Sequence, residues 1–485
     1  MNTSMIRYIL GNILKLQALF LLLPSATALI YGEDTFVSYI VVAFSCFAVG
    51  FMMTLKKPEE SVFYLKEGCV ATALSWIALS ISGAFPFVLT GEIPHFVDAL
   101  FEMVSGFTTT GSSILSDVEA LTYSSLIWRS FSHWIGGMGV LVFLLAIIPM
   151  SGGSNINLMK AESPGPSVGK LVPKIRSTAR ILYLIYIGMS ILMFILLLIG
   201  KMPVFDALAT TFGTAGTGGF GIKNDSFAGY SPYLQWVTAV FMMLFGVNFN
   251  AYYLILFHNV KKAFKIEEVR WYFTIILLST FVIFTDLMQF YSSLGDAVRD
   301  SFFQVASIIT TTGFATADFN LWSATSKSTL VLLMFIGACA GSTGGGLKVS
   351  RLIILIKTIF KELTSYTHPK SIIKIKMDDK PIEREVVRSA NVYFITYMII
   401  FVVSVFCLTF ENIDLISIFT AVAATFNNIG PGLEMVGPTA NFGHFSDFSK
   451  VVMIFDMLAG RLELFPLLML FHPELWKDTI KRKWK

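Results

Sequence analysis

This sequence has little charge: Asp, Glu, Lys and Arg make up 14% of 485 residues, while 55% are hydrophobic. A water-soluble chain would struggle to hide that much apolar surface in a core, so the solvent for most of it must be lipid. Cysteine is scarcer still, at four residues. Cys46, Cys69, Cys339 and Cys407 lie in or beside apolar runs without CxxC or metal-ligand spacing, which leaves no disulfide framework and no bound structural metal to expect. There is no GxxxxGK[ST], no HExxH and no plausible catalytic triad; the chain is expected to be no enzyme and to carry no organic cofactor. GSTGGGLK at 341–348 looks like a phosphate-binding loop, but its spacing fails and it lies inside an apolar stretch. The formal charge of +4 carries no nucleic-acid signature.

What is present in quantity is apolar sequence, with 45 phenylalanines. Runs near the roughly 20 residues that span a bilayer as a helix recur near 8–31, 36–55, 69–90, 126–149, 181–200, 233–257, 271–291, 328–360, 389–410 and 449–471, ten predicted spans. Basic residues gather in alternate loops, at 56–66, 160–180, 261–270, 348–388 and 477–485; by the positive-inside rule these are cytoplasmic. An even number of spans places both termini on that side. Leu19 to Ala28 has the look of a signal-peptide core with an Ala-Thr-Ala site, but the apolar run continues into Ile30 and a second span follows at once, so a retained helix is expected.

The most informative feature is internal repetition. DALFEMVSGFTTTGS from Asp98, DALATTFGTAGTGGF from Asp206, DSFFQVASIITTTGF from Asp300 and SIFTAVAATFNNIGP from Ser417 align without gaps, placing Gly111, Gly219, Gly313 and Gly430 in register. Each segment is too short to cross a bilayer, opens with a helix-capping residue type and ends in small or hydroxyl residues. It should enter the membrane and turn back. Irregular backbone at that depth is tolerated where protein buries it or it lines a water-filled path. The expected fold is an all-α polytopic membrane protein with four pseudo-symmetric helix, pore loop, helix repeats around one pore. Two extra helices occupy 1–67; repeat 1 runs over 68–150, repeat 2 with its cytoplasmic loop over 151–259, repeat 3 over 260–361 and repeat 4 with its loop over 362–485.

Rings of backbone carbonyls can replace the hydration shell of a cation, and glycine permits the conformations that aim them inward. The expected ion ligands are Thr109, Thr110 and Gly111; Gly218 and Gly219; Thr311, Thr312 and Gly313; and Asn428, Ile429 and Gly430, with hydroxyls of Thr110 and Thr312 adding to the set. Carbonyl coordination favours a large, weakly hydrated ion, which argues for potassium. No filter segment holds Asp or Glu, whereas Asp117, Asp225, Asp318 and Glu434 lie just beyond, either gathering cations at the mouth or serving as ordinary solvated loop charges.

The fourfold pattern, the single filter glycine per repeat, HWIGGMG at 133–139 and AGRLE at 459–463 resemble the Trk, Ktr and HKT superfamily over the whole chain. The resemblance implies a bacterial cytoplasmic-membrane protein for potassium uptake. It also implies a homodimer, each protomer with its own pore, regulated by a cytosolic nucleotide-binding ring of the TrkA type. Gly111 stands where sodium-transporting plant members carry serine; Asn427, Asn428 and Ile429 break the hydroxyl run in the fourth copy, so preference for potassium and rubidium without perfect exclusion of sodium is expected.

The run 328–360 would measure about 50 Å as one helix, too long for a hydrocarbon core of about 30 Å. Gly344, Gly345 and Gly346 each disfavour helix by about 1 kcal/mol, so a break is expected. In the family a movable loop lies at this place beneath the filter, making Gly341, Ser342, Thr343, Gly344, Gly345 and Gly346 the expected gate; the alternative is close helix packing by small residues. Arg461, an ionised residue within the last span, is costly unless it faces a cavity or a partner. The resemblance implies that it projects below the filter and raises the barrier to cations; the alternative is a structural salt bridge. His133 and Trp134 read as packing residues, and Asp286 as one half of a local pair. The loops 150–180 and 348–388 are candidates for contact with a regulatory subunit or with anionic lipid headgroups. A cation-coupled secondary transporter, moving potassium with protons or sodium, stays open beside the channel reading; such folds show two inverted halves, whereas the copies here are four.

Overall fold

The computed structural model describes residues 1–58, 64–139, 175–256, 258–371 and 373–475. Of the expected loop 150–180, residues 150–174 lie outside them, as do 140–149 of the predicted span 126–149 and the basic tail 477–485, while residues 175–180 already belong to a helix. Helices dominate the described residues, and the one sheet found there is the antiparallel hairpin Lys376–Met377 with Lys380–Pro381. Side chains such as Phe44, Phe47, Phe281 and Phe406 are more than half exposed on the outer surface, an arrangement that suits lipid and would be unfavourable in water.

The first span runs Thr3–Tyr31 and the second Phe36–Thr54. Glycine sets their approach: a Cβ on Gly11 would lie 2.8 Å from the Gly50 carbonyl oxygen, and one on Gly50 2.6 Å from that of Gly11. Small residues facing each other are the usual way for apolar helices to pack where the hydrophobic effect supplies no drive.

The same three-part unit then follows four times. The outer helices are Leu65–Thr90, Ile175–Ile199, Glu267–Leu287 and Arg384–Leu408. The pore helices are Phe96–Phe107, Val204–Ala215, Leu294–Ile309 and Leu415–Phe426, each too short to span. The inner helices, Tyr123–Met138, Pro232–Phe245, Ala324–Ile336 and Asp447–Arg461, correct an expectation. The sequence singled out only the third as interrupted, yet the second turns by 94° before Phe249–Leu256 and the fourth stops at Arg461, short of the predicted 471. Full-length apolar runs conceal these ends, because hydropathy registers composition and not backbone direction.

The residues that open the repeated segments are placed otherwise than the capping pattern suggested. Ser293 and Asp414 cap the third and fourth pore helices through the amides of Asp296 and Ser417. The segment openers instead tie the pore helices to neighbouring chain. Asp98 accepts from Lys450 at 2.6 Å, Asp206 from Tyr230 at 2.9 Å, Asp300 from Thr316 at 3.0 Å, and Ser417 Oγ from the Met435 amide at 3.1 Å.

Candidate ion filter and intramembrane loop

After each pore helix the backbone repeats one conformation. Thr109, Thr217, Thr311 and Asn428 adopt left-handed φ of 56°, 54°, 59° and 55°, and two residues on Gly111, Gly219, Gly313 and Gly430 have φ of 84°, 77°, 89° and 105°. A threonine held left-handed costs about 1–2 kcal/mol, and residues in such strained states cluster at functional sites.

The four segments close into a ring. A Cβ on Gly111 would overlap the carbonyl oxygen of Gly218; one on Gly219 that of Thr312; one on Gly313 that of Ile429; and one on Gly430 would stand 3.0 Å from that of Thr110. Each glycine therefore abuts the carbonyl preceding the next repeat's glycine, and the fourth returns to the first. All four glycines also line one cavity of about 160 Å³ at one end of the ring. Thr108 to Thr110, Thr217, Thr310 to Thr312 and Asn427 to Ile429 are shielded from solvent and from the outer surface. The carbonyl-rich C-termini of the four pore helices end immediately before these residues, each equivalent to about half a negative charge.

The Thr110 and Thr312 hydroxyls, expected as further ligands, are hydrogen-bonded within the scaffold. Thr110 Oγ1 lies 2.8 Å from Thr108 Oγ1 and accepts from the Asn428 amide at 2.9 Å, and Thr312 Oγ1 lies 2.8 Å from Thr310 Oγ1. Asn428 also donates to the Met457 carbonyl at 2.9 Å, and Tyr397 donates to Asn427 Oδ1 at 3.0 Å. Where the first and third copies use hydroxyls, the fourth is held by amides.

Behind the filter sits a pair the sequence reading missed. Arg129 and Glu102 are 1% and 0% exposed and 2.8 Å apart. Glu102 accepts from Ser113 and from the Ile114 amide, while Arg129 donates to the Gly221 carbonyl and stacks 4.1 Å from the centre of Phe220. This pair joins the chain following the first filter glycine to that following the second. The signal was available: Glu and Arg within apolar helices are rare and need partners. His133 lies against Gly218 and 4.3 Å from the Phe220 ring, in agreement with a packing role. Asp286 accepts from Ser323 and Ser326, the local pairing expected of it.

Three of the four mouth carboxylates are tied to other protein groups. Asp117 accepts from the Asn224 amide at 2.8 Å, which holds its carboxyl below the usual range. Asp318 caps a short helical turn, and Glu434 is 3.6 Å from Lys327.

Beneath the ring, the chain leaves helix at Ile336 and resumes it at Val349. Gly337, Gly341 and Gly346 have φ of 73°, 67° and 77°. The intervening loop presses on the filter: the Gly345 amide donates to Thr311 Oγ1 at 2.6 Å, and a Cβ on Gly344 would lie 2.8 Å from the Thr310 carbonyl. Thr343 donates to the Phe245 carbonyl at 3.2 Å, Ser342 to that of Cys339 at 2.6 Å, and Lys348 to that of Gly344. Arg461 reaches this loop from the end of the fourth inner helix. Its guanidinium donates to the Thr343 carbonyl at 2.8 Å, to that of Gly137 at 2.8 Å and to that of Gly136. The nearby Glu463 pairs with Arg351. Thus Arg461 joins the loop of the third repeat to the glycine run of the first.

Comparison with known proteins matches this arrangement over nearly its whole length. The TrkH family, described as cation transport protein, matches residues 36–483. The chain is 34% identical to the Trk system potassium uptake protein TrkH of Escherichia coli K12, with 99% of this chain and 100% of that one covered. It is 32% identical to TrkG of the same organism over 99% of this chain and 100% of that one. The crystal structure of the potassium transporter TrkH from Vibrio parahaemolyticus superposes with a TM-score of 0.88 at 32% identity, covering 98% of this chain and 100% of that one. With four short pore helices, a closed ring of filter glycines and a full-length match, this chain belongs to the TrkH family of cation transport proteins.

Proposed function

We propose that the chain takes up potassium across the bacterial cytoplasmic membrane, with the carbonyls of Thr110, Gly218, Thr312 and Ile429 replacing water around the ion. The units 68–150, 151–259, 260–361 and 362–485 act as four quarters of one pore, and both termini face the cytoplasm. The carrying observation is the ring, in which each filter glycine abuts the next repeat's carbonyl. The names of the relatives, which are potassium uptake proteins of a multi-component system, support the same reading. The loop Gly341 to Gly346 together with Arg461 closes the inner end of the path. The working assembly is a homodimer in membrane lipid, controlled by a cytosolic nucleotide-binding ring of the TrkA type.

Uptake into liposomes by the purified protein tests this. Rubidium is expected to enter at least about tenfold faster than sodium, a difference of about 1.4 kcal/mol in barrier, and to follow its electrochemical gradient with or without a pH gradient. Equal rates for the two ions would remove the filter assignment, and a current requiring the pH gradient would replace the channel with a coupled transporter.

A further inference from the structure

Both ends of the intramembrane loop are fastened to one side chain outside it. Glu268 lies in the first turn of the third outer helix and is 3% exposed. Its Oε1 accepts from the Ala340 amide at 2.6 Å and from the Ser350 amide at 3.1 Å. Its Oε2 accepts from the Asn248 side-chain amide at 3.2 Å, at the bend that ends the second inner helix. Ala340 precedes the glycine-rich loop and Ser350 follows it, at the start of helix Val349–Thr367. Two amides that lost their partners when the helix broke are thus gathered on one carboxylate, placed where a helix N-terminus favours an anion.

Glu268 also borders a cavity of about 530 Å³ with Asn248, Ala340, Ser350 and the hairpin residues Met377 and Asp378. The neighbouring Glu267 binds that hairpin: its amide donates to Asp378 at 2.6 Å, and its carboxylate pairs at 2.5 Å with Lys357, which in turn donates to the Lys376 carbonyl. A displacement of the hairpin therefore reaches the loop through two adjacent residues.

We propose that Glu268 is the positioning residue of the intramembrane loop, a clasp that holds it against the filter and links it to the hairpin at 376–381. This rests on the reading of that loop as the gate. A carboxylate is required because its charge roughly doubles the strength of each amide bond. Glutamine keeps the shape with weaker bonds; aspartate is a methylene too short to reach both amides.

The test places a cysteine in the loop, Ser342→Cys, and follows its labelling by a membrane-impermeant thiol reagent in liposomes, against the same protein without it. Glu268→Ala is expected to speed labelling at least about tenfold, Glu268→Gln by less, and Glu268→Asp to behave as the alanine. Glu268→Gln also serves if the alanine variant fails to fold. Labelling unchanged in correctly folded Glu268→Ala and Glu268→Gln would overturn the clasp. Rubidium uptake by the same proteins keeps the two readings apart. Faster labelling with faster uptake supports both, whereas faster labelling with unchanged uptake supports the clasp and defeats the gate.

Discussion

Gly313→Ser is expected to reduce the preference for rubidium over sodium by at least about tenfold, and to lower total uptake. Two independent effects act at that position. With φ of 89°, a serine is strained by about 1–2 kcal/mol, and its Cβ overlaps the Ile429 carbonyl oxygen while approaching Pro431 Cδ at 2.9 Å. Neither obstacle is the flexible end of a side chain, so the ring itself must move, and one of its carbonyls leaves its place. Losing the equivalent of about 1.4 kcal/mol of differential binding gives the tenfold change. Gly91→Ser separates strain from site geometry: Gly91 has φ of 77° with open space around it, and its replacement is expected to leave ion preference intact. The four filter glycines should also differ among themselves. Gly430, whose Cβ would stand 3.0 Å from the Thr110 carbonyl, is expected to tolerate alanine best.

Arg461→Ala is expected to raise the rubidium uptake rate by about tenfold. The guanidinium bonds Thr343 in the loop and Gly136 and Gly137 in the first repeat, so its removal loosens the loop and deletes a positive charge below the filter. For a cation about 10 Å away at an effective dielectric constant near 20, that charge contributes on the order of 1.5 kcal/mol, the size of the effect. Arg461→Lys retains the charge without the planar fork that reaches several carbonyls at once, and should fall between wild type and alanine. A lower unfolding temperature with unaltered uptake would mark Arg461 as structural.

The repeat, the register of Gly111, Gly219, Gly313 and Gly430, and the interruption after Ile336 were all legible in the sequence. They depend on glycine spacing and on apolar run length, which a single chain displays directly. The 94° turn after Phe245 and the stop at Arg461 were not, since apolar residues continue through both. Glu102 and Arg129 were legible as charges within apolar helices that need partners, though not as partners of each other, whereas Glu268 with Ala340 and Ser350 was not legible: it joins a side chain to backbone amides 72 and 82 residues away that have no residue signature. The Thr110 and Thr312 hydroxyls were read as ligands because hydroxyl runs suit cations. Their partners, Thr108, Thr310 and Asn428, appear only once the segments meet.

That the four segments coordinate a dehydrated ion is tested most directly by locating rubidium through its anomalous scattering in crystals of the protein. The expected result is density on the axis of the ring, within coordinating distance of the carbonyls of Thr110, Gly218, Thr312 and Ile429. Rubidium bound elsewhere, with the axis of the ring empty at a concentration that saturates uptake, would contradict the account.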